Sequence, residues 1–296
     1  MFKNITLYKI GELADLQTIE SALTSAPYTP CAPTQERSCG WIAPRGQLHD
    51  TLVESIGGQW LMRWLCETRQ VPASALQAKV DEMAEKILQE CGLIPGKREL
   101  RDLKDKARLE MLPHAFSRTT GVWVWIDPKA GRLIIDSINA SDTDSIVTSL
   151  VEMIEGFVPR LVQTRQSPAA AMATWLHDHV APANFCLGSE CELKALDETR
   201  ASVRYARHTL ETAEIIQHIA SGKRPTRVEL AHKSGLSFVL TDKLHLRKVS
   251  TDVELIHQKN ASVEERKDAL DTDFTIKSAA ICETVADLLA ELGEEE

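Results

Sequence analysis

The sequence predicts an α+β protein, with strands and helices in mixed order rather than the regular βαβ alternation of a parallel sheet. Three features carry this expectation. Residues 72–112 read as two helices joined by a short Gly/Pro turn, an αα-hairpin. Residues 122–136 read as a β-hairpin around the four-residue turn PKAG. After Pro168 a new unit begins, with a second series of strands set among helices.

In chain order, residues 2–10 (FKNITLYKI) are rich in aromatic and β-branched side chains and predict a strand. A helix from Leu13 to Thr24 follows. Pro27, Pro30, Pro33, Gly40 and Pro44 make 26–46 loop-like, with a short strand at Trp41-Ile42. Residues 59–66 (QWLMRWLC) predict another strand. Pro72 suits the first turn of a helix, in which Leu76, Val80, Met83, Ile87 and Cys91 recur at helical spacing until Gly92 and Pro95 stop it. The second hairpin helix, Lys97 to Leu112, places Leu100, Leu103, Ala107 and Met111 on one face. Strands Val122–Asp127 and Arg132–Asp136 and a helix Asp142–Ile154 follow. The second unit reads as helix Ala169–His177, strand Ala201–Arg207, helix Thr212–Ser221, strands Pro225–His232, Leu236–Thr241 and His245–Val249, then helices Val263–Leu270 and Lys277–Leu292.

With 296 residues, 43% of them hydrophobic and 26% charged, the chain has the balance of an ordinary globular protein of two or three packed units. No apolar run is long enough to span a membrane, and MFKNITLYKI lacks the apolar region of a secretory signal. The expected location is therefore the cytoplasm. Seven cysteines, spread from Cys31 to Cys282, form no short-range framework and read as reduced thiols. The net charge of -9 speaks against nucleic acid only as an average. Residues 95–132 hold nine Lys+Arg against five Asp+Glu, residues 200–249 ten against four, and residues 250–296 four against thirteen. Basic stretches are hidden behind an acidic end.

No catalytic signature stands out. GLIPGKRE (92–99) lacks one residue between its glycines and has Arg98 where a phosphate loop needs Ser or Thr, so it reads as a helix–helix turn. His177, His179, Cys186 and Cys191 could be drawn as a zinc set, but their spacing is not a standard one, and simple packing accounts for them. Cys31 or Cys39 could be a thiol activated by Arg37, against the plainer reading of a loop cysteine. Trp123 and Trp125 share a strand face, where core packing is the plainer reading and base stacking the sharper one. The positive signal lies in cations. Lys97, Arg101, Lys104 and Arg108 form one stripe on a helix, as phosphate contacts require, although a solvated helix face gives the same pattern. Further basic sets are Arg200, Arg204 and Arg207 with His208; Lys223, Arg224 and Arg227; and Lys243, Arg247 and Lys248. In an extended strand Arg200, Arg204 and His208 would point one way and Arg207 the other.

The sequence also resembles a known family. FKNITLYKI, PYTPC, GWIAP, LPHAFSRTT and WIDPKAGRLIIDS in the first half are similar, in the same order, to segments of the bacterial recombination-associated RdgC family. So are TWL, FCLGSECELKALDE, VRYARHTL, EIIQHIASGKRPTRVELAHKSGLSFVL and LDTDFTIKSAAICETVADLL in the second half. The resemblance implies a central α/β portion (1–70 and 119–166), a helical tip (71–118) and a mixed α/β base (167–296), assembled as a ring-shaped homodimer. It implies sequence-indifferent binding of duplex DNA through a basic hole and antagonism of RecA, with nucleoid association. Because no metal or nucleophile constellation stands out among the residues, no cofactor, no metal and no enzymatic turnover are expected.

Under that resemblance the basic residues Lys97, Arg101, Lys104, Arg108, Arg118, Arg204, Lys223, Arg224 and Arg227 are candidates for DNA contact. The segment after AFSR places Thr119 near a tip self-contact, where family members carry an aromatic. ARHTL places Arg207 and His208 at the base self-contact. Two rivals stand beside this reading. One is a metal-dependent DNA-processing enzyme using acids such as Asp127 and Asp136. The other is a protein-interaction module acting on RecA without DNA.

Overall fold

The computed structural model describes residues 1–11, 13–46, 50–197, 199–251 and 265–295, the backbone alone for 265–269. It is a mixed α+β protein built on two antiparallel sheets. The first sheet is assembled mainly from the N-terminal half: β1 (Thr6–Lys9), β2 (Arg37–Ile42), β3 (Val53–Ile56), β4 (Gln59–Gln70), β5 (Phe116–Asp127), β6 (Arg132–Ile135) and β7 (Arg160–Leu161). Its order is β2-β4-β5-β6-β1-β7, with β3 sharing the β2 edge of β4. The second sheet contains β8 (Phe185–Ala195), β9 (Ser202–Tyr205), β10 (Lys223–His232), β11 (Leu236–Thr241) and β12 (Leu246–Thr251), in the order β12-β11-β10-β8-β9.

Near-continuous apolar runs, such as residues 122–126 of β5 and 133–135 of β6, give the first sheet two buried faces. On one face Met62, Trp64, Val122 and Val124 pack under α1 (Leu16–Leu23) and α4 (Ala140–Met153), with Trp41 edge-on to Trp64 at 4.9 Å. On the other, Leu61 and Trp125 join the core of the second sheet. There Phe2, Trp125 and Phe274 meet ring to ring at 5.5–6.0 Å. This core is closed by α5 (Pro168–Asp178), α6 (Ala213–Ala220) and α7 (Glu265–Leu292). A bridge between Ile5 and Leu246 ties the two sheets by backbone.

The helical hairpin is α2 (Ala73–Cys91) and α3 (Lys97–Met111), followed by a 3₁₀ turn at Leu112–His114. Gly92 ends α2 with φ 68°, a left-handed conformation that glycine adopts without steric cost. Glu99 accepts a 2.7 Å hydrogen bond from the Gly96 N–H and so caps α3. Its core is small: Leu76, Val80 and Ala107 are the fully buried members. The hairpin stands on the far ends of β4 and β5, whose pairing runs unbroken from Trp60–Ile126 to Gln70–Phe116.

The structure corrects several boundaries. The first strand begins at Thr6, because Phe2 has φ 50° and Asp136 takes the N–H groups of Phe2, Lys3 and Asn4 away from any ladder. The proline-rich stretch contains a full strand, β2, and Gly40 within it lets the Tyr28 backbone cross closely: a Cβ there would lie 2.4 Å from Tyr28 N. Pro72 is the N-cap of α2, one residue before the helix. β3, β7 and β8 have no counterpart among the strands expected from the sequence. The strand read as Ala201–Arg207 is only Ser202–Tyr205, so Arg200 and His208 lie outside it and the predicted alternation of Arg200, Arg204, Arg207 and His208 does not form. Arg200 and Arg207 both have positive φ, 47° and 56°. The last two predicted helices are one: α7 runs through residues 271–276, while Val263 falls outside the described residues. Cys39 and Cys66, opposite each other on β2 and β4, are disulfide-bonded, which corrects the reading of seven reduced thiols and of Cys39 as a reactive one. Cys31 is buried, and burial followed by the charge of Glu67 pushes its thiol up, the reverse of activation.

Candidate nucleic-acid interface

The predicted cations fall into two groups. On α3, Lys97, Arg101, Lys104 and Arg108 are all exposed on the helical hairpin. Arg108 pairs with Glu36 at 3.3 Å; among the described residues Lys97, Arg101 and Lys104 have no ion-pair partner. The stripe exists because apolar residues of α3 turn the other way, toward Leu76 and Val80 of α2. Arg118 is exposed on β5, opposite Thr68 of β4.

The second group lies on the outer face of the second sheet. Cys191 and Leu193 of β8 face the core, so Glu190, Glu192 and Lys194 face outward. Arg204 of β9 bonds Glu190 at 2.7 Å, and Lys248 bonds the same carboxylate from the other side. Arg227 of β10 and Lys194 both bond Glu192, at 3.1 and 2.8 Å. Burial works against ionisation of Glu190, but hydrogen bonds from Lys248 and Arg204 outweigh it and hold the carboxyl below its usual range. Burial is likewise outweighed at Glu192 by Lys194, Thr226 and Arg227. One half-buried carboxylate, Glu190, and one buried carboxylate, Glu192, thus hold four cations on this face. Arg224 is exposed beside them, opposite Lys194. Lys223 turns to the α6 end and meets His218 Nδ1 at 3.0 Å.

Lys194 and Phe116 were not singled out from sequence. The strand that carries Lys194 was not recognised, and a lone lysine beside three acids gives no basic signal. The aromatic that the tip segment exposes is Phe116, 92% exposed, three positions before Thr119. Thr119 itself is exposed and pairs with Glu67 across β4 and β5. Arg207 and His208 are exposed in the turn after β9, where the His208 N–H bonds Ser189 O at 3.1 Å.

The other candidate chemistries resolve into structural roles. Trp125 is buried and donates its indole N–H to Gln59, while Trp123 lies under the Arg63 guanidinium, 4.8 Å from its centroid. Asp127 accepts from the N–H groups of Lys129 and Ala130 in the β5–β6 turn. Asp136 holds the N-terminal backbone. Among the zinc candidates, His177 is exposed and bonded to Asp178, Cys186 is exposed, and Cys191 is buried with its thiol pushed up to about 12 by burial. Among the described residues, the ligand-type residues that do converge are His232, Glu283 and Asp287. There His232 Nε2 meets Asp287 at 3.0 Å, and Lys233 Nζ stands 3.3 Å from both carboxylates, so a cation from the chain already occupies the acidic side.

The fold is a mixed α+β one of two antiparallel sheets, with a helical hairpin raised on a strand pair and cations exposed on both the hairpin and the outer face of the second sheet. The chain belongs to the RdgC family: the family model described as "Putative exonuclease, RdgC" matches residues 1–295. The chain is 33% identical over 299 residues to the recombination-associated protein RdgC of Dechloromonas aromatica, covering 99% of this chain and 98% of that protein. The proteins of the same name from Cupriavidus pinatubonensis and Janthinobacterium sp. are 32% and 31% identical, at equal coverage. Among the described residues, no helix is long and apolar enough to cross a membrane.

Proposed function

We propose that this protein binds duplex DNA without sequence preference, as a homodimeric ring, and modulates RecA-dependent recombination by occupying DNA rather than by turning it over. The observation that carries the reading is the α3 stripe, in which Lys97, Arg101 and Lys104 project from an exposed helix without an ion-pair partner among the described residues. Unpaired cations in a row suit phosphates, whose contacts position a protein without reading bases. Arg118, Arg204, Arg224 and Arg227 extend the surface from hairpin to base. Closure of the ring would use an exposed aromatic, Phe116 beside Thr119, at the hairpin end, and Arg207 with His208 at the base end. The relatives' printed name places them in recombination, which supports the cytoplasm and nucleoid as the place of action. No metal or cofactor is needed for this activity.

A nuclease reading is kept by the wording of the family description. The two acids first considered for it, Asp127 and Asp136, are committed to separate backbone turns. Incubation of duplex DNA with the protein and magnesium or manganese separates the readings: shortened DNA fragments or released nucleotides would establish the nuclease.

The binding reading is tested by salt. Each phosphate neutralised contributes a slope of about -0.9 to log K against log salt. A dimer is expected to show a slope of several units, and Arg101→Ala with Arg108→Ala to make it shallower while weakening unrelated sequences equally. An unchanged slope would mean that the stripe is only solvated surface. A loss confined to one sequence would replace phosphate contact by base readout.

A further inference from the structure

Among the cavities of the molecule, one of about 310 Å³ lies at the junction of the two sheets. Ile138, just after β6, forms one wall, and the ends of β8, β10, β11 and β12 form the others. Its polar lining includes Lys194, Arg227, Lys243, His245 and Arg247, with Asp242. Lys194 and Arg227 share Glu192, but among the described residues Lys243 and Arg247 have no ion-pair partner. Arg247 Nε is buried with no acceptor, and a buried donor left unsatisfied is costly. Four cations face Asp242 and the adjoining Glu192, leaving a surplus of two positive charges.

We propose that this pocket is a phosphate-binding site, which receives one tetrahedral phosphate group between the Arg247 guanidinium and the Lys243 ammonium. The surplus of two positive charges matches a dianion, and the cavity has room for one phosphate group with its water. The guanidinium can present two parallel N–H donors to two phosphate oxygens, and the lysine supplies a point charge at the mouth. The group can come from free phosphate or pyrophosphate, or from a DNA backbone lying on the outer sheet face beside Arg227 and Arg224. Only the DNA source rests on the function proposed above. His245 supplies a reporter: burial, then the charge of Lys243, holds its imidazole below the ordinary histidine range. A bound anion must pull it back up.

The test is an NMR titration of the full-length protein carrying ring-labelled histidine, with the His245 signal assigned by its loss in His245→Gln. Inorganic phosphate and pyrophosphate are added against chloride at equal ionic strength. The expected result is a saturable shift of His245 toward the protonated form. It weakens at least about tenfold in Lys243→Ala with Arg247→Ala, and is unchanged in Lys129→Ala, an exposed lysine outside the pocket. Arg247→Lys, which keeps the charge and removes the planar fork, gives a milder variant should the double one fail to fold. Duplex DNA without terminal phosphates is then added. Displacement of phosphate supports the pocket as a backbone site, and binding of both together supports it as a site for free phosphate. Phosphate binding without any DNA binding would retain the pocket and remove the DNA reading. No saturable phosphate effect, together with DNA affinity unchanged by Lys243→Ala with Arg247→Ala, would overturn the pocket and leave the DNA reading intact.

Discussion

Asp136 shows how much one half-buried carboxylate can fix. It accepts N–H bonds of 2.6, 2.7 and 2.9 Å from Phe2, Lys3 and Asn4 and so anchors the start of the chain under the shared core. Burial raises its pKa, and the three amides only partly offset that cost. Removing the acceptor takes the partner from three amides, of which that of Phe2 lies in the core and that of Lys3 can turn to water. Asp136→Ala is expected to lower stability by about 3 kcal/mol, at roughly 1 kcal/mol for each lost hydrogen bond. Urea denaturation measures this, and a midpoint equal to that of the unaltered protein would refute the anchoring role. Sequence alone offered Asp136 as a metal ligand, because a carboxylate after a hydrophobic strand looks the same whether it meets an ion or three amides. The basic residues were legible one by one, but their pairing was not. Nothing in the spacing of Glu190, Arg204 and Lys248 reveals that one carboxylate holds both cations.

Elements with a strong helical period were read correctly in kind: α2, α3 and α6 follow from apolar spacing and from Gly92. β8 escaped because Gly188 interrupts it and its pairing with β10 is shifted twice, so no clean alternation survives. α7 was divided at Asp271 and Asp273, residues of low helix propensity, yet burial of Phe274 carries the helix through them. That helix is pinned to β10 by His232, Lys233 and Asn184, all bonded to Asp287. The His232 hydrogen bond, against some burial, leads in holding the Asp287 carboxyl below its usual range. A depressed carboxylate contributes stability above its unfolded pKa and loses it as pH falls through the folded one. Asp287→Asn should therefore be less stable than the unaltered protein at neutral pH, with the gap closing in strong acid. Equal urea midpoints at neutral pH would contradict this, as would a gap that persists in acid.

At the scale of the whole molecule, two exposed features bear on assembly: Phe116 at the hairpin end, on the first sheet, and the turn after β9, on the second. If they are self-contacts, the particle in solution is a closed pair. Sedimentation at micromolar concentration is expected to give about twice 32.9 kDa, and Phe116→Ser to shift the population toward single chains. A single-chain mass at every concentration would exclude the ring. Whatever its partner, the distance from base to hairpin is set by β4 and β5, not by a loop. Their eleven consecutive pairs span ten steps, roughly 34 Å at the usual rise per residue. The strand pair thus acts as a ruler graduated in steps of two. Adding two residues to each strand would lengthen the arm by roughly 7 Å and keep every side chain on its face. Adding one would turn the α3 cations away from the side on which they now stand.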